Sequence, residues 1–181
     1  MKKLIIALIF FSFVAVPLQA KTTAEILVKG GIIASPYLNL DGAIADVDVG
    51  FILGAEAYLF PWENIGLGLG ATHLFDTDIE NTAKKISYNN AYVTVKPKIV
   101  FEGKEITALY FIGQLGVSKA EIKIIDDCGA GIYVAGGVGI EANWFILEAI
   151  YSYTNWAIKD DSAKRAALYT LGLNMGYKFK I

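Results

Sequence analysis

The sequence is poor in the side chains that disulfides, metal sites and nucleophilic catalysis most often use. Its 181 residues include one cysteine, Cys128, and one histidine, His73. A single cysteine cannot form an internal disulfide, and neither residue stands in a catalytic or metal-ligating motif. We therefore expect no cofactor, no bound metal and no catalytic residue.

A strong excess of one charge is also missing. Charged residues make up 19% of the chain, with 16 basic and 18 acidic side chains. This balance provides no basic footprint, so we expect no nucleic-acid partner. Hydrophobic residues reach 55%. After residue 17, however, no apolar run approaches the roughly 20 residues of a membrane-spanning helix.

The beginning of the chain has the residue order of a secretory signal peptide. Two lysines precede an apolar run that ends near Pro17, and "LQA" then leads into the polar "KTTAE". We expect cleavage after Ala20, because the run is too short and lacks the positive flank of an anchor helix. The predicted organisation is a signal peptide at 1–20 and one domain at 21–181.

Instead of long helical runs, the sequence shows a strict two-residue alternation of apolar and polar side chains. The final segment, "LGLNMGYKFKI", alternates apolar side chains with glycine, asparagine and lysine. About eight segments share this period and approach the roughly 10 residues that a tilted barrel strand needs. They run approximately 24–37, 48–60, 65–75, 90–101, 106–120, 131–142, 144–155 and 167–181.

The connections between these segments alternate in predicted length. The short ones are 61–64, 102–105 and Asn143, and the long ones are 38–47, 76–89, 121–130 and 156–166. Outer-membrane barrels have short periplasmic turns and longer external loops. The pattern therefore predicts an eight-stranded antiparallel transmembrane β-barrel with both termini on the periplasmic side.

The charged residues of these segments share one parity, opposite the aliphatic side chains. Four acids and four bases collect on this face: Glu25, Lys29, Glu56, Lys96, Lys98, Glu141, Glu148 and Lys178. A lipocalin-type soluble barrel would instead have a densely charged exterior. A sparse, sign-balanced polar face suits the narrow interior of a small membrane barrel, where we expect a salt-bridge plug. An ion gate or proton path is the alternative use of the same residues.

Aromatic residues predict two membrane-interface belts. Near the short turns stand Phe60, Trp62, Phe101, Trp144, Phe145, Tyr177 and Phe179. Toward the long loops stand Tyr37, Phe75, Tyr92, Tyr151, Tyr153 and Tyr169. Aliphatic side chains fill the zone between them, as expected for a lipid-facing surface.

A few polar residues depart from the parity rule. His73, Lys119 and Glu121 fall on the outward face, so we place them at strand ends above the hydrocarbon or beside a bulge. His73 lacks a nearby His-x-Ser arrangement, which favours an interfacial role over a catalytic one. Loop acids such as Asp78 and Glu80 lack the spacing of a calcium loop and predict a solvated rim.

The chain resembles the small outer-membrane β-barrel family that includes the opacity, OmpA-transmembrane-domain and OmpX-like proteins. The signal peptide, the strand pattern, "AYVTVKPKIVF" at 91–101 and the ending "GYKFKI" carry the resemblance. Gly176, Phe179 and Ile181 resemble the terminal signal read by the outer-membrane assembly machinery. Here Met175 replaces the usual polar residue before that glycine, and Ile181 replaces the usual terminal aromatic.

The resemblance implies a location in the outer membrane of a Gram-negative-type bacterium and a non-enzymatic role in envelope structure or surface interaction, as an adhesin or antigen. The implied partners are outer-membrane lipid and lipopolysaccharide, the assembly machinery with periplasmic chaperones, and a host or surface ligand. One alternative function is a narrow pore or carrier for small hydrophobic molecules, and another is a lipid A-modifying enzyme. The fold alone does not choose among them.

Overall fold

The computed structural model describes residues 23–40, 42–82, 84–101, 103, 106–122, 128–158 and 161–181. The signal peptide predicted at 1–20 lies outside these ranges. At 35, 128 and 161–164 the structure describes the backbone only. Within the described residues, no helix is long and apolar enough to cross a membrane.

The described chain folds into antiparallel β-strands. They are β1 (Thr23–Leu40), β2 (Ala43–Asp46), β3 (Gly50–Trp62), β4 (Ile65–Asp78), β5 (Lys85–Val100), β6 (Ala108–Ile122), β7 (Cys128–Ala142), β8 (Phe145–Ile158) and β9 (Asp161–Lys180). From β3 to β9, each strand pairs with the next along the chain. β1 pairs with both β3 and β9, which closes the sheet into a barrel. The short β2 pairs with the end of β1 and continues the line of β3, so the wall has eight strand positions. The predicted eight-stranded antiparallel β-barrel is confirmed.

The two ends of the barrel differ, and we name them by their connections. The turn end carries 63–64, 101–107 and 143–144, and the loop end carries 41–42, 79–84, 123–127 and 159–160. The predicted contrast between short and long connections is wrong. Most residues of the predicted long loops belong to strands, and 102–105 lies within a longer connection. The strands are longer than the predicted segments because antiparallel pairing with their neighbours continues toward the loop end.

β5 shows why the sequence concealed these extensions. In its second half the apolar side chains Val93 and Val95 face outward, and the polar Thr94 and Lys96 are buried inside. Near the loop end the chemistry reverses, because Ile86 is buried inside the barrel while Asn89 is exposed outside. This reversal fits an exterior that changes from lipid to water along the strand.

The inward apolar side chains of the loop end form a core that we call the apolar plug. It contains Ile33, Leu38, Val47, Leu74, Ile79, Ile86, Tyr88, Ala120, Ile122, Trp156, Ala166 and Leu168. Register shifts between Ala34 and Tyr37 and between Leu74 and Thr77 change the inward parity of β1 and β4. Leu38 and Ile79 therefore point into the plug. The prediction of a polar interior is therefore wrong for this end of the barrel.

Two residues predicted for the aromatic belts lie inside instead. Phe60 and Tyr92 are 6% and 4% exposed, whereas Trp62 and Phe145 remain on the outer surface. Phe60 shares the parity of Glu56, and Tyr92 shares the parity of Lys96. The alternation of the strand therefore decides their direction, and aromatic character does not.

Candidate functional site

The barrel interior brings together all eight charged residues that the parity pattern selected. Each is at most 8% exposed, and each belongs to one of two clusters. The turn-side cluster contains Glu25, Lys96, Lys98, Glu141 and Lys178. The middle cluster contains Lys29, Glu56 and Glu148.

Glu141 is the centre of the turn-side cluster. Its Oε1 lies 3.1 Å from Lys96 Nζ and 2.8 Å from Lys98 Nζ, and its Oε2 accepts a hydrogen bond from Lys178. Glu25 adds the second carboxylate, with Oε2 at 3.0 Å from Lys98 Nζ and Oε1 at 3.8 Å from Lys178 Nζ. These contacts join β1, β5, β7 and β9 across the interior.

Lys29 is the centre of the middle cluster. Its ammonium donates to Glu56 Oε1 at 2.7 Å and to Glu148 Oε2 at 2.8 Å. The three side chains come from β1, β3 and β8. Burial of an ammonium group is costly unless it is paired and hydrogen-bonded, and both conditions are met here.

Neutral polar side chains complete the middle cluster, and sequence reasoning missed them. Tyr58 and Tyr92 each donate a 2.8 Å hydrogen bond to Glu56. Gln114 Nε2 donates to Glu56 Oε1 at 2.9 Å and accepts at its Oε1 from Tyr133. Tyr110 OH donates to Glu148 Oε1 at 3.0 Å. The signal that could have found them is strand parity. Tyr58, Tyr92 and Tyr133 share the parity of the inward charged residues on their strands, and Tyr110 and Gln114 alternate with the outward apolar side chains of β6.

Lys96 connects the two clusters. Its ammonium lies 3.9 Å from the centroid of the Tyr110 ring and 5.1 Å from that of Tyr58, in addition to its contact with Glu141. Both tyrosines donate to carboxylates of the middle cluster. Cation–π attraction is strongest where the cation is desolvated, so this link stabilises the buried lysine.

Glycines opposite these rings provide the space for them. A Cβ atom on Gly139 would lie 2.4 Å from the Tyr110 ring, and one on Gly70 would lie 2.5 Å from the Tyr92 ring. Such distances are too short for any side chain. These inward glycines therefore contribute to a lumen that large side chains fill.

A small cavity separates the middle cluster from the apolar plug. Its volume is about 20 Å³, and Lys29, Tyr88, Ser152 and Asn174 are among its lining residues. Such a volume accommodates about one water molecule. From the turn end toward the loop end, the side chains inside the barrel form the turn-side cluster, then the middle cluster and then the apolar plug.

The residues that depart from the parity rule lie on the outer face. His73 Nδ1 is 2.9 Å from Asn89 Oδ1, and the His73 ring meets Phe75 edge-on beside the register shift of β4. Lys119 and Glu121 are exposed near the loop end of β6. Among the described residues, no group of three or more His, Cys, Asp or Glu side chains is arranged to hold a metal ion.

The three residues predicted as an assembly signal lie at the turn end, with Gly176 and Phe179 on β9 and Ile181 directly after it. Phe179 and Ile181 are exposed on the outer surface, and the Phe179 ring packs 4.7 Å from that of Tyr177. Gly176 has a structural role of its own. A Cβ atom there would lie 2.6 Å from Val28 O and 2.8 Å from Lys29 Cβ, at the seam between β9 and β1.

The sequence matches no protein-family model and no curated protein. Among solved structures, the fold is similar to Neisserial surface protein A, with a TM-score of 0.57, 10% identity, and coverage of 88% of this chain and 100% of that chain. Weaker similarity extends to Ail, the attachment invasion locus protein of Yersinia pestis, with a TM-score of 0.47, 15% identity, and 86% and 99% coverage. The outer membrane protein OprG from Pseudomonas aeruginosa gives a TM-score of 0.45, 15% identity, and 86% and 96% coverage. The similarity to Neisserial surface protein A shows that the chain has the fold of a small outer-membrane β-barrel.

Proposed function

We propose that this chain is an integral outer-membrane protein of a Gram-negative-type bacterium and acts without catalysis, in envelope structure or surface interaction. The observation that carries the proposal is the filled lumen. Two ionic clusters and the apolar plug follow one another across the interior and block it, beyond an open cavity at the turn end. Such a barrel supports a structural or binding role better than transport.

The outer surface supports insertion into a membrane. Large apolar side chains are exposed on every strand of the barrel wall, including Leu53, Leu69, Val93, Phe111, Val138, Leu147 and Leu173. A closed barrel has no unpaired sheet edge, so its backbone hydrogen bonds are satisfied in lipid. Water would be an unfavourable solvent for so continuous an apolar surface.

A group of tyrosines supports contact with the headgroups of outer-membrane lipid or lipopolysaccharide. Tyr37 and Tyr169 stack with their centroids 4.5 Å apart, and Tyr153 lies 4.9 Å from Tyr169. Asn155 donates to Tyr153 OH and accepts from Arg165, which is exposed closer to the loop end. Aromatic rings with polar groups above them suit the boundary between hydrocarbon and headgroup.

The extended strands support presentation of a surface to an external partner. Beyond the tyrosines, the apolar plug packs inside paired strands and supports them from within the barrel. The fold is also that of a protein described as a surface protein. One fold serves several functions, however, so the identity of a host or surface ligand depends on direct assays.

Conductance in planar bilayers tests the filled lumen. We expect the purified barrel to insert without a stable conducting level, while a large porin under the same conditions conducts. A steady, reproducible conductance of the folded protein would support the narrow pore and contradict our proposal. Uptake of a small hydrophobic tracer by cells with and without the gene tests the carrier alternative, and we expect no difference.

Mass spectrometry of lipid A tests the enzymatic alternative. We expect identical lipid A from cells that carry or lack the gene, because the hydrogen-bond partner of His73 is the Asn89 side-chain amide, which is not a nucleophile. A gene-dependent change in lipid A that disappears in His73→Ala would contradict a non-enzymatic role. The binding role is tested by incubation of intact cells with immobilised host-surface ligands. A gene-dependent difference that is lost when the loop end is altered would support it.

A further inference from the structure

The small cavity between the middle cluster and the apolar plug is lined by polar groups as well as by aromatic rings. Lys29, Ser152, Thr170 and Asn174 all border its volume of about 20 Å³. Each of these side chains is at most 6% exposed, so each must find its hydrogen-bond partners inside the barrel. Their hydrogen bonds within the protein leave some donors and acceptors unused.

Lys29 has one donor more than its carboxylate partners use. An ammonium group carries three N–H donors. Two of the donors of Lys29 are directed to Glu56 Oε1 and Glu148 Oε2. Within the described part of the chain, Lys29 Nζ has no third acceptor. A molecule in the cavity that Lys29 borders can supply one.

Asn174 contributes an acceptor that lacks a donor. Its Oδ1 is buried and has no hydrogen-bond partner among the described residues. The oxygen lies over β1, because a Cβ atom on Gly31 would be 2.4 Å from it. Gly31 has the inward parity of Lys29, so the unpaired oxygen faces the lumen on the side of that lysine. A buried acceptor of this kind is unfavourable unless a donor reaches it.

Ser152 and Thr170 add a second available donor. Ser152 Oγ lies 2.6 Å from Thr170 Oγ1, across the pairing of β8 and β9. One of the two hydroxyl groups donates in this hydrogen bond, so the O–H of the other is available to a further acceptor. The cavity is therefore bordered by two available donors and by one acceptor that requires a donor.

The charges around the cavity disfavour an ion as the missing partner. The ammonium group of Lys29 repels a cation. The middle cluster combines this one lysine with two glutamates, and its negative surplus repels an anion. Water is neutral, fits a cavity of this size, and both donates and accepts hydrogen bonds.

We propose that this cavity binds one structural water molecule, which accepts a hydrogen bond from Lys29 Nζ and donates one to Asn174 Oδ1. The available hydroxyl of the Ser152–Thr170 pair donates the third hydrogen bond, and buried water molecules typically make about three. The water completes the coordination of the buried lysine and links the middle cluster to β8 and β9. This site lies in the interior and goes beyond the function proposed above, because it needs no external partner.

A crystal structure of the folded barrel tests this site. We expect an electron-density peak in the cavity, within hydrogen-bonding distance of Lys29 Nζ and Asn174 Oδ1. Crystals grown with bromide in place of chloride distinguish water from an anion, because bromide scatters X-rays anomalously. The absence of a peak in the unmodified chain, or an anomalous signal at its position, would overturn the proposal.

Gly172→Ala is a steric variant that keeps every polar group and adds a methyl group to the cavity lining. A Cβ atom on Gly172 would lie 3.6 Å from Ile150 O and 3.8 Å from Ile32 O, which are ordinary contacts. Gly136→Ala is the matched control, because Gly136 is exposed on the outer face of β7 and a Cβ atom there would lie 3.8 Å from Ile112 O. Heat-modifiable migration on unboiled gels verifies that both variants are folded. We expect the peak to be lost in Gly172→Ala and retained in Gly136→Ala. A peak of unchanged position and strength in Gly172→Ala would contradict the proposed site.

Discussion

Lys29 Nζ lies 2.8 Å from Glu148 Oε2 and joins two strands that are not neighbours in the barrel wall. Lys29 is on β1 and Glu148 is on β8, with β9 between them. The two residues are 119 positions apart in the chain. Their ion pair is therefore a tertiary contact through the lumen, made only when the barrel is closed.

The first prediction concerns this pair. Glu148→Leu removes one of the two carboxylates that contact Lys29 and also the acceptor of Tyr110. We expect the free energy of unfolding to fall by about 3–5 kcal/mol, as is usual when one member of a buried pair is removed. Urea-induced unfolding of the barrel in lipid vesicles measures the change. A more stable Glu148→Leu variant would show that Lys29 does not depend on this carboxylate.

The second prediction separates the lipid-facing wall from the water-facing tip. Leu147→Lys places a charge on the outer surface of β8, which should cost about 2–4 kcal/mol near the bilayer midplane. Ile44→Lys is the matched control. Ile44 is also apolar and exposed, but it lies on β2 at the loop end, where we expect water.

We expect poor insertion or a lower free energy of unfolding for Leu147→Lys and nearly normal behaviour for Ile44→Lys. Both variants are followed by heat-modifiable migration and urea unfolding. If Leu147→Lys were harmless while Glu148→Leu stabilised the protein, the assignment of inside and outside would be wrong. A soluble barrel would then be the better description.

The third prediction concerns the apolar plug. Trp156 is fully buried, with its ring centroid 6.1 Å from that of Tyr88, and its Nε1 has no hydrogen-bond partner among the described residues. Trp156→Ala should lower the free energy of unfolding by about 3–5 kcal/mol because it leaves a large cavity. Trp156→Phe should cost less, because it retains a ring and removes the unpaired donor.

Neither Trp156 variant should make the barrel conduct, since both ionic clusters remain in place below the plug. Planar-bilayer recordings of the two variants check this expectation. Stable conductance of Trp156→Ala would show that the plug alone closes the lumen. Equal stability of Trp156→Ala and the unmodified chain would show that the plug contributes little to folding.

The fourth prediction concerns orientation. At the loop end the outer faces of β5 and β6 carry polar residues such as Asn89, Lys119 and Glu121, whereas at the turn end apolar residues such as Trp62 and Phe145 approach the turns. A peptide tag inserted after Asn81 should therefore be accessible to antibody on intact cells. The same tag inserted after Glu63 should require permeabilisation. Reversed labelling would invert the proposed topology.

The fifth prediction concerns assembly. Deletion of Lys180 and Ile181 together with Phe179→Ser should leave the protein in the periplasm, where exposed apolar strands promote proteolysis or aggregation. Leu171→Ser is the matched control. Leu171 is also exposed on β9, but it lies eight positions before Phe179 and outside the altered ending. Membrane fractionation and heat-modifiable migration distinguish the two outcomes. Normal outer-membrane levels of the truncated variant would show that Phe179 and Ile181 are not an assembly signal.

Local alternation made the barrel wall predictable from the sequence. Because successive side chains of a strand point to opposite faces, the parity of a residue such as Lys96 or Leu147 is fixed by its immediate neighbours. The same rule applies to Phe60 and Tyr92, whose aromatic character misled the prediction. The boundaries of the strands were less predictable, because the environment outside the barrel changes from lipid to water along each strand.

The sequence by itself therefore determined the strand period, the closed all-β architecture and the set of charged residues that face inward. The tertiary structure decided which of these residues meet. Whether Lys29 contacts Glu148 depends on how β1 and β9 pair, on the stagger of the strands and on the reach of each side chain. The tyrosines around Glu56 and the apolar plug arise in the same way. They are consequences of distances across the lumen, which the local period of a strand does not encode.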